Sequence, residues 1–255
     1  MKNLLLLLFA LPFTLHAKDP APGYFELRIY RLADATDEAR MDSYLEKALL
    51  PALHRSGIPS VGVFKTAAAD TLNKFRIYVL IPYKSLEEFE KKAAALLNDK
   101  QYLTDGRDYI DAVYDNPTYL RMETILLRAF KFMPTLEAPN LRAAKQDRVY
   151  EMRSYEGATE KLYRTKVHMF NEGNEISLFK RLNFNAVFYA EVLSGSHQPN
   201  LMYMTTFENK ADRDARWKSF VDDPEWKTLS AKPEYQHTVS KSEIFFLYPA
   251  AYSDL

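Results

Sequence analysis

Alternating apolar and polar positions define a strand near the start of the chain. In residues 25–30, FELRIY, each apolar residue is followed by an acid, a base or a phenol. Successive strand residues point to opposite faces, so Glu26, Arg28 and Tyr30 share one face and the three apolar residues share the other. We predict that the apolar face packs on helices and that the polar-aromatic face looks away from them.

The same strand is repeated in the second half of the chain. Residues 150–155 read YEMRSY, so that Glu151, Arg153 and Tyr155 recur 125 positions after their counterparts. At the same offset Tyr78 falls on Tyr203, and Glu123 falls on Glu243 at an offset of 120. A common period sustained over more than 100 residues indicates an internal repeat.

Between these strands the apolar spacing changes to that of helices. Residues 41–49 place apolar side chains at i, i+3 and i+4, which predicts a helix capped by Thr36 or Asp37 and kinked or ended at Pro51. Ser85 with Glu88 forms a capping box for a second helix. Each half therefore reads β-α-β-β-α-β, the ferredoxin-like unit. The predicted fold class is α+β, with two tandem units whose antiparallel sheets face each other around a cavity.

Composition and the N-terminus set the context. Positive, apolar and small residues follow one another at 1–17 and predict a signal peptide. The two repeats then define a first domain at 19–132, a linker at 133–148 and a second domain at 149–255. We expect an exported, periplasmic or secreted, soluble protein without stable membrane insertion after cleavage. The 34 basic residues equal the 34 acidic ones, which argues against nucleic acid as a partner. The chain has no cysteine, which excludes thiolate chemistry and disulfides.

The polar-aromatic face supplies the candidate site residues. The predicted cavity-lining, ligand-binding candidates are Glu26, Arg28, Tyr30, Tyr78, Glu123, Glu151, Arg153, Tyr155, Tyr203 and Glu243. The alternative for the charged members is structural, because a partly buried arginine must be paired. Each arginine would then bind a glutamate of its own strand or a neighbouring strand, with Glu123 and Glu243 as possible partners. The tyrosines would then only fill the cavity wall.

No motif indicates a cofactor or a metal. The histidines lack the spacing of a preformed metal site, and the glycines form neither a dinucleotide fingerprint nor a P-loop. His54 and His168 are the candidates for a haem axial ligand, with a helix-surface or capping role as the favoured alternative. We therefore expect no metal and no cofactor.

Three motifs in order resemble the NIPSNAP family. They are the opening strand at 25–30, a Val-Gly-x-Phe second strand at 61–64, and Asp-Pro-Glu-Trp at 223–226. The resemblance covers two copies and implies the dimeric α/β-barrel superfamily. The copies differ: residues 98–102 replace Asp-Pro-Glu-Trp in the first, and Val187 replaces the strand glycine in the second.

The leading functional hypothesis is an exported NIPSNAP-like protein that binds a small apolar or aromatic molecule between its two sheets. The superfamily, as this resemblance implies, also contains cofactor-independent monooxygenases, so an enzyme acting on an activated aromatic substrate is one alternative. A structural or assembly protein, with a filled interface and homo-oligomers, is the other. Whether the protein is an enzyme is left open by the sequence.

Overall fold

The computed structural model describes residues 21–67, 70 and 73–255, so the predicted signal peptide lies outside the described residues. The strands in this part are β1 (Tyr24–Arg31), β2 (Gly62–Thr66), β3 (Arg76–Tyr83), β4 (Arg121–Ala129), β5 (Val149–Glu156), β6 (Ala186–Ser194), β7 (Asn200–Phe207) and β8 (Lys241–Pro249). The helices are α1 (Ala35–Tyr44), α2 (Leu50–Arg55), α3 (Leu86–Leu96), α4 (Lys100–Asp105), α5 (Arg107–Ile110), α6 (Glu160–Phe170), α7 (Glu175–Arg181), α8 (Lys210–Asp222) and α9 (Pro224–Ser230). None of these helices is long and apolar enough to cross a membrane.

The eight described strands close into one antiparallel barrel. Their order around it is β1-β3-β2-β8-β5-β7-β6-β4. The first half of the chain contributes β4-β1-β3-β2 and the second half contributes β8-β5-β7-β6, which is the same order in each. The two sheets join where β2 pairs with β8 and β4 pairs with β6. The predicted pair of ferredoxin-like units is confirmed, and their edges are paired, which leaves no open sheet edge.

Local sequence signals set the helix ends, with two corrections. Ser85 caps α3 by accepting a hydrogen bond from the backbone N–H of Glu88, as predicted. The first helix is capped by Asp34, two residues before Thr36 and three before Asp37, because its carboxylate accepts hydrogen bonds from the N–H groups of residues 36 and 37. The helix also does not end at Pro51. A π-helical turn at Leu45–Leu49 precedes α2 and shifts the hydrogen-bonding pattern, so the chain accommodates a residue without an N–H.

The predicted orientation of β1 and β5 is wrong. The apolar set, Phe25 and Leu27 in β1 with Tyr150 and Met152 in β5, points into the barrel, where it joins one fully buried cluster. Glu26, Arg28 and Tyr30 point the other way, under the helices. An eight-stranded barrel has an interior just wide enough to be filled by side chains. The part of the interior that this apolar cluster fills offers no polar partner to a long charged residue, whereas the layer between sheet and helices does.

The alignment of Tyr78 with Tyr203 is also wrong by one residue. Tyr78 lies opposite Ile29, but Tyr203 lies opposite Arg153. The structural counterpart of Tyr78 is therefore Met202. Because side chains alternate between faces, this one-residue shift places Tyr78 inside the barrel and Tyr203 outside it, under the helices.

The two ends of the barrel differ. At one end Leu136, from the segment between β4 and β5, and the C-terminal Leu255 pack on the apolar cluster of the interior and cover it. At the other end lie the C-terminal ends of β1 and β5 and the N-terminal ends of β3, β4, β7 and β8. A cavity of about 520 Å³ opens there, and we call it the barrel mouth.

Candidate functional site

The structure divides the predicted site residues between two places. Tyr78, Glu123 and Glu243 line the barrel mouth. The other seven lie between the sheet and the helices, so their predicted place between the two sheets is wrong; they are Glu26, Arg28, Tyr30, Glu151, Arg153, Tyr155 and Tyr203. Whether any of them binds a ligand stays a prediction.

The arginines pair with the glutamate two residues earlier on the same strand. Arg28 Nε lies 2.6 Å from Glu26 Oε1, and the Tyr83 hydroxyl donates to Glu26 Oε2 at 3.0 Å. Of the partners considered above, each arginine therefore has the glutamate of its own strand. Glu123 and Glu243 are not the partners, because they lie on the opposite face of their strands.

In the second repeat the pair belongs to a larger network. Glu151 is fully buried and accepts hydrogen bonds from Arg153, from Arg213 of α8 and, at 3.1 Å, from the Trp217 indole. The Arg153 guanidinium also lies over the Trp217 ring, 3.7 Å from its centroid. Trp217 thus contacts both the acid and the base of this network. Tryptophan is the most favourable ring for a stacked guanidinium.

A pocket of about 350 Å³ lies above this network, between the sheet and the helices of the second repeat; we call it the helix-layer pocket. Arg153 donates to the Tyr155 hydroxyl at 3.0 Å, and the Tyr155 and Tyr203 hydroxyls are 2.8 Å apart. This chain of polar groups lines the pocket on its sheet side. On the helix side, Trp217 and Trp226 form aromatic walls. A mostly aromatic cavity with a few converging polar groups is typical of a small-molecule site.

A buried ion pair completes the pocket. Lys166 of α6 donates from Nζ to Glu175 Oε2 at 2.8 Å, and both side chains are less than 9% exposed. Burial raises the pKa of the Glu175 carboxyl, while the charge of Lys166 opposes that rise. The lysine ammonium also lies 4.8 Å from the centroid of the Phe170 ring. The pocket therefore combines a cation with aromatic surface.

The environment fixes the protonation of the hydrogen-bond chain. Burial raises the pKa of Tyr203 well above its ordinary value, and the neighbouring Tyr155 adds to this while Arg153 opposes it. Burial acts to lower the pKa of Arg153, but Tyr203, Tyr155 and Glu151 together raise it on balance. The pocket thus presents a permanent cation, Arg153, and the neutral hydroxyl of Tyr203, both of which are hydrogen-bond donors.

The same space in the first repeat is filled. Tyr44 of α1 stacks on Tyr109 with ring centroids 3.7 Å apart, and its hydroxyl is 2.9 Å from that of Tyr102. Tyr109 and Tyr119 both pack against Tyr30, the counterpart of Tyr155. These tyrosine rings occupy the layer above the Glu26–Arg28 pair. The two repeats therefore share a strand but differ in what covers it.

The histidines singled out above make contacts within the protein. His54 Nε2 lies 2.8 Å from an Asp254 carboxylate oxygen, and His168 Nδ1 lies 2.9 Å from the Tyr235 hydroxyl. Within residues 21–67, 70 and 73–255, no group of three His, Asp or Glu side chains is arranged to hold a metal ion.

Several residues of these sites were not predicted, although the sequence carried a signal for some. Lys166 stands in the apolar stripe of α6, and Arg213 stands one turn before Trp217 on the apolar face of α8. A charge within a buried stripe indicates a partner across the interface. No sequence signal identified Glu175, because its burial depends on how α7 packs after the break near Gly173.

Comparisons with solved structures define the class of fold. A protein from Lactobacillus acidophilus NCFM, provisionally assigned as a monooxygenase, matches with a TM-score of 0.57 at 10% identity, over 89% of this chain and 94% of its own. An anthrone oxidase-like protein matches with a TM-score of 0.52 at 8% identity, over 89% and 91%. A NIPSNAP family protein from Agrobacterium tumefaciens C58 matches 46% of this chain and 98% of its own, at 19% identity and a TM-score of 0.38. The fold is that of the dimeric α/β barrels, here with both halves in one chain.

The family follows from the sequence comparison. The NIPSNAP model matches residues 25–134 and again residues 150–254. The chain belongs to the NIPSNAP family, as two tandem copies. The comparison with curated proteins gave no match.

Proposed function

We propose that this protein binds a small aromatic molecule in the helix-layer pocket of its second repeat. The observation that carries the proposal is the pocket itself. It holds two guanidinium groups, an ammonium, one carboxylate and two phenol groups against two indole rings, in a volume within the range of small-molecule sites. The first repeat fills the same space with its own tyrosines, which are themselves phenols.

The polar groups specify the chemistry of the ligand. Arg153 and Lys166 are both cations, and Tyr155 and Tyr203 offer hydroxyls. A planar ring bearing a phenol, enol or carbonyl oxygen would stack on the tryptophans and accept hydrogen bonds from these donors. The predicted place of binding was the space between the two sheets, but apolar side chains fill that space except at the mouth. We therefore place the ligand in the helix-layer pocket instead.

Tryptophan fluorescence gives a direct test, because both tryptophans of the chain, Trp217 and Trp226, line the pocket. Titration with 1-naphthol is expected to quench their emission to saturation and to raise the melting temperature. Tyr155→Phe removes a hydroxyl from the pocket and should weaken binding by roughly tenfold, the effect of one lost hydrogen bond. The matched control, Tyr30→Phe, changes the equivalent position of the first repeat and should leave binding unchanged. Equal effects of the two variants, or no saturable quenching, would refute the proposal.

A second candidate is oxygenation without a cofactor. The observation in its favour is that three cations, Arg153, Lys166 and Arg213, line the pocket with a single carboxylate from the described part of the chain, that of Glu175. This excess of positive charge would stabilise a phenolate or enolate, the electron-rich form that reacts with O₂. The structural neighbours assigned as monooxygenase and anthrone oxidase-like share the fold. Conversion of an activated methylene to a carbonyl would consume one O₂ and release one water. An oxygen electrode with anthrone should register uptake that Arg153→Ala abolishes. Uptake no faster than without protein would refute oxygenation and leave binding standing.

A further inference from the structure

Three arginines form a row across neighbouring strands at the barrel mouth. Arg31 of β1 is the cross-strand partner of Arg76 in β3 and of Arg121 in β4. Side chains directly opposite each other in a sheet lie about 5 Å apart at Cβ, and like charges there destabilise the sheet. Among the described residues, no carboxylate lies within 4.0 Å of these guanidinium groups. Arg121 donates only to the backbone carbonyl of Leu120.

The second repeat shows that the fold does not require this row. Its equivalent positions are Asn200, Glu156 and Lys241, in the same register. There the charges cancel, because Lys241 Nζ lies 3.3 Å from the Glu156 carboxylate. The same barrel corner is thus built once with an ion pair and once with three cations. The excess positive charge of the first repeat needs another explanation.

A second, independent feature faces the same cavity. Tyr78 lines the mouth and is only 1% exposed, yet its hydroxyl makes no hydrogen bond within 3.5 Å among the described residues. Burial raises the pKa of this hydroxyl, and the nearby Arg76 and Thr66 side chains oppose that rise. A buried hydroxyl without a partner is destabilising, because it has lost its hydrogen bond to water. Tyr78 lies two residues from Arg76 on the same inward face of β3. A bound acceptor would satisfy the hydroxyl and the guanidinium together.

The acids of the mouth already have partners. Glu123 accepts a hydrogen bond from the Ser196 hydroxyl at 2.6 Å, and Glu243 lies 3.0 Å from Lys241 Nζ. The rest of the lining consists of neutral polar groups near the rim and of apolar side chains deeper in, such as Met152. Among the residues that the structure describes, Arg31 and Arg76 therefore line the mouth with only one carboxylate that lacks a cationic partner, that of Glu123, so positive charge is in excess there.

We propose that the barrel mouth binds the oxyanion of a small organic acid, a carboxylate or a phosphate ester, through Arg31, Arg76 and the Tyr78 hydroxyl. The planar guanidinium matches both oxyanions through paired N–H donors. The apolar floor accommodates a short hydrophobic body attached to the anion. This site is separate from the helix-layer pocket, because it lies inside the barrel and on the opposite face of the sheet.

The test uses calorimetry and thermal shift at low salt with inorganic phosphate, phenyl phosphate and benzoate, and with benzyl alcohol as the uncharged comparison. The anions are expected to bind and to raise the melting temperature, and the alcohol is not. Binding should weaken as salt is added, because these charges are partly solvated. Phosphate and benzoate distinguish the two kinds of anion, since the tighter binder identifies the preferred head group.

Arg31→Glu is the decisive variant, because it copies the residue of the second repeat and gives both neighbouring arginines a partner. It should weaken anion binding by roughly tenfold or more, while the melting temperature without ligand stays equal or rises. Arg107→Glu makes the same charge change on exposed α5 and should bind normally. Arg76→Asn, also copied from the second repeat, should lose binding in the same way. Absence of anion binding by the natural sequence, or unchanged binding by Arg31→Glu and Arg76→Asn, would overturn the proposal.

Discussion

Replacement of Glu151 by glutamine tests the network beneath the second repeat. The carboxylate is fully buried and is shared by Arg153 and Arg213, whose side chains are only 12% and 16% exposed. Glutamine keeps the volume but removes the negative charge, and its amide NH₂ would face a guanidinium. Breaking a buried pair in this way leaves an uncompensated charge and costs about 3–5 kcal/mol. For a chain of this size that lowers the melting temperature by roughly 6–20 °C.

Urea unfolding followed by circular dichroism measures this loss. Asp222→Asn breaks an exposed ion pair with Lys218 and serves as the control, with no expected change in midpoint. In an Arg213→Gln background the effect of Glu151→Gln should shrink, because one of the two stranded cations is gone. A loss below about 1 kcal/mol for Glu151→Gln would show that the network does not stabilise the fold as its burial implies.

Three further outcomes are expected. Gly62→Ala should destabilise by about 1–3 kcal/mol in calorimetry, because its Cβ would lie 2.6 Å from the Phe64 ring inside the barrel; a neutral effect would contradict the close packing. Lys166→Met should destabilise the protein less at pH 5 than at pH 8, because the unpaired Glu175 has a raised pKa in the folded state and keeps its proton there, so that the variant loses stability as pH rises. Equal urea midpoints of the variant at both pH values would contradict this. Above about pH 10 the protein should lose stability with rising pH, because buried tyrosines such as Tyr203 have raised pKa values and ionise only on unfolding; a 295 nm absorbance that shows all the tyrosines ionised before the circular dichroism changes would refute it.

The comparison of the two copies separates what the fold needs from what each copy does. The Glu–Arg pair is present in both, at Glu26–Arg28 and Glu151–Arg153, and it stabilises the strand face beneath the helices. In the first copy tyrosine rings fill the layer above this pair, whereas in the second copy that layer contains the helix-layer pocket. At the rim of the barrel the first copy has three arginines without a carboxylate partner in the described ranges, whereas the corresponding residues of the second copy include an ion pair. The helix-layer pocket therefore belongs to the second copy, whereas both copies line the barrel mouth and the first supplies its proposed anion-binding groups.

The sequence alone determined the tandem repeat, the order of strands and helices, the cap at Ser85, and the need of each arginine for a carboxylate partner. These follow from local periodicity and from the cost of an unpaired buried charge. The sequence did not determine which face of β1 points inward, because both faces are buried and alternation is symmetric between them. Only tertiary structure decided that, since a narrow closed barrel excludes long charged side chains and the helix layer supplies their partners. For the same reason, the polar face of the repeated strand lies beneath the helices and not between the two sheets. The barrel mouth could be identified only from the register of the strands, because its residues come from distant parts of the sequence.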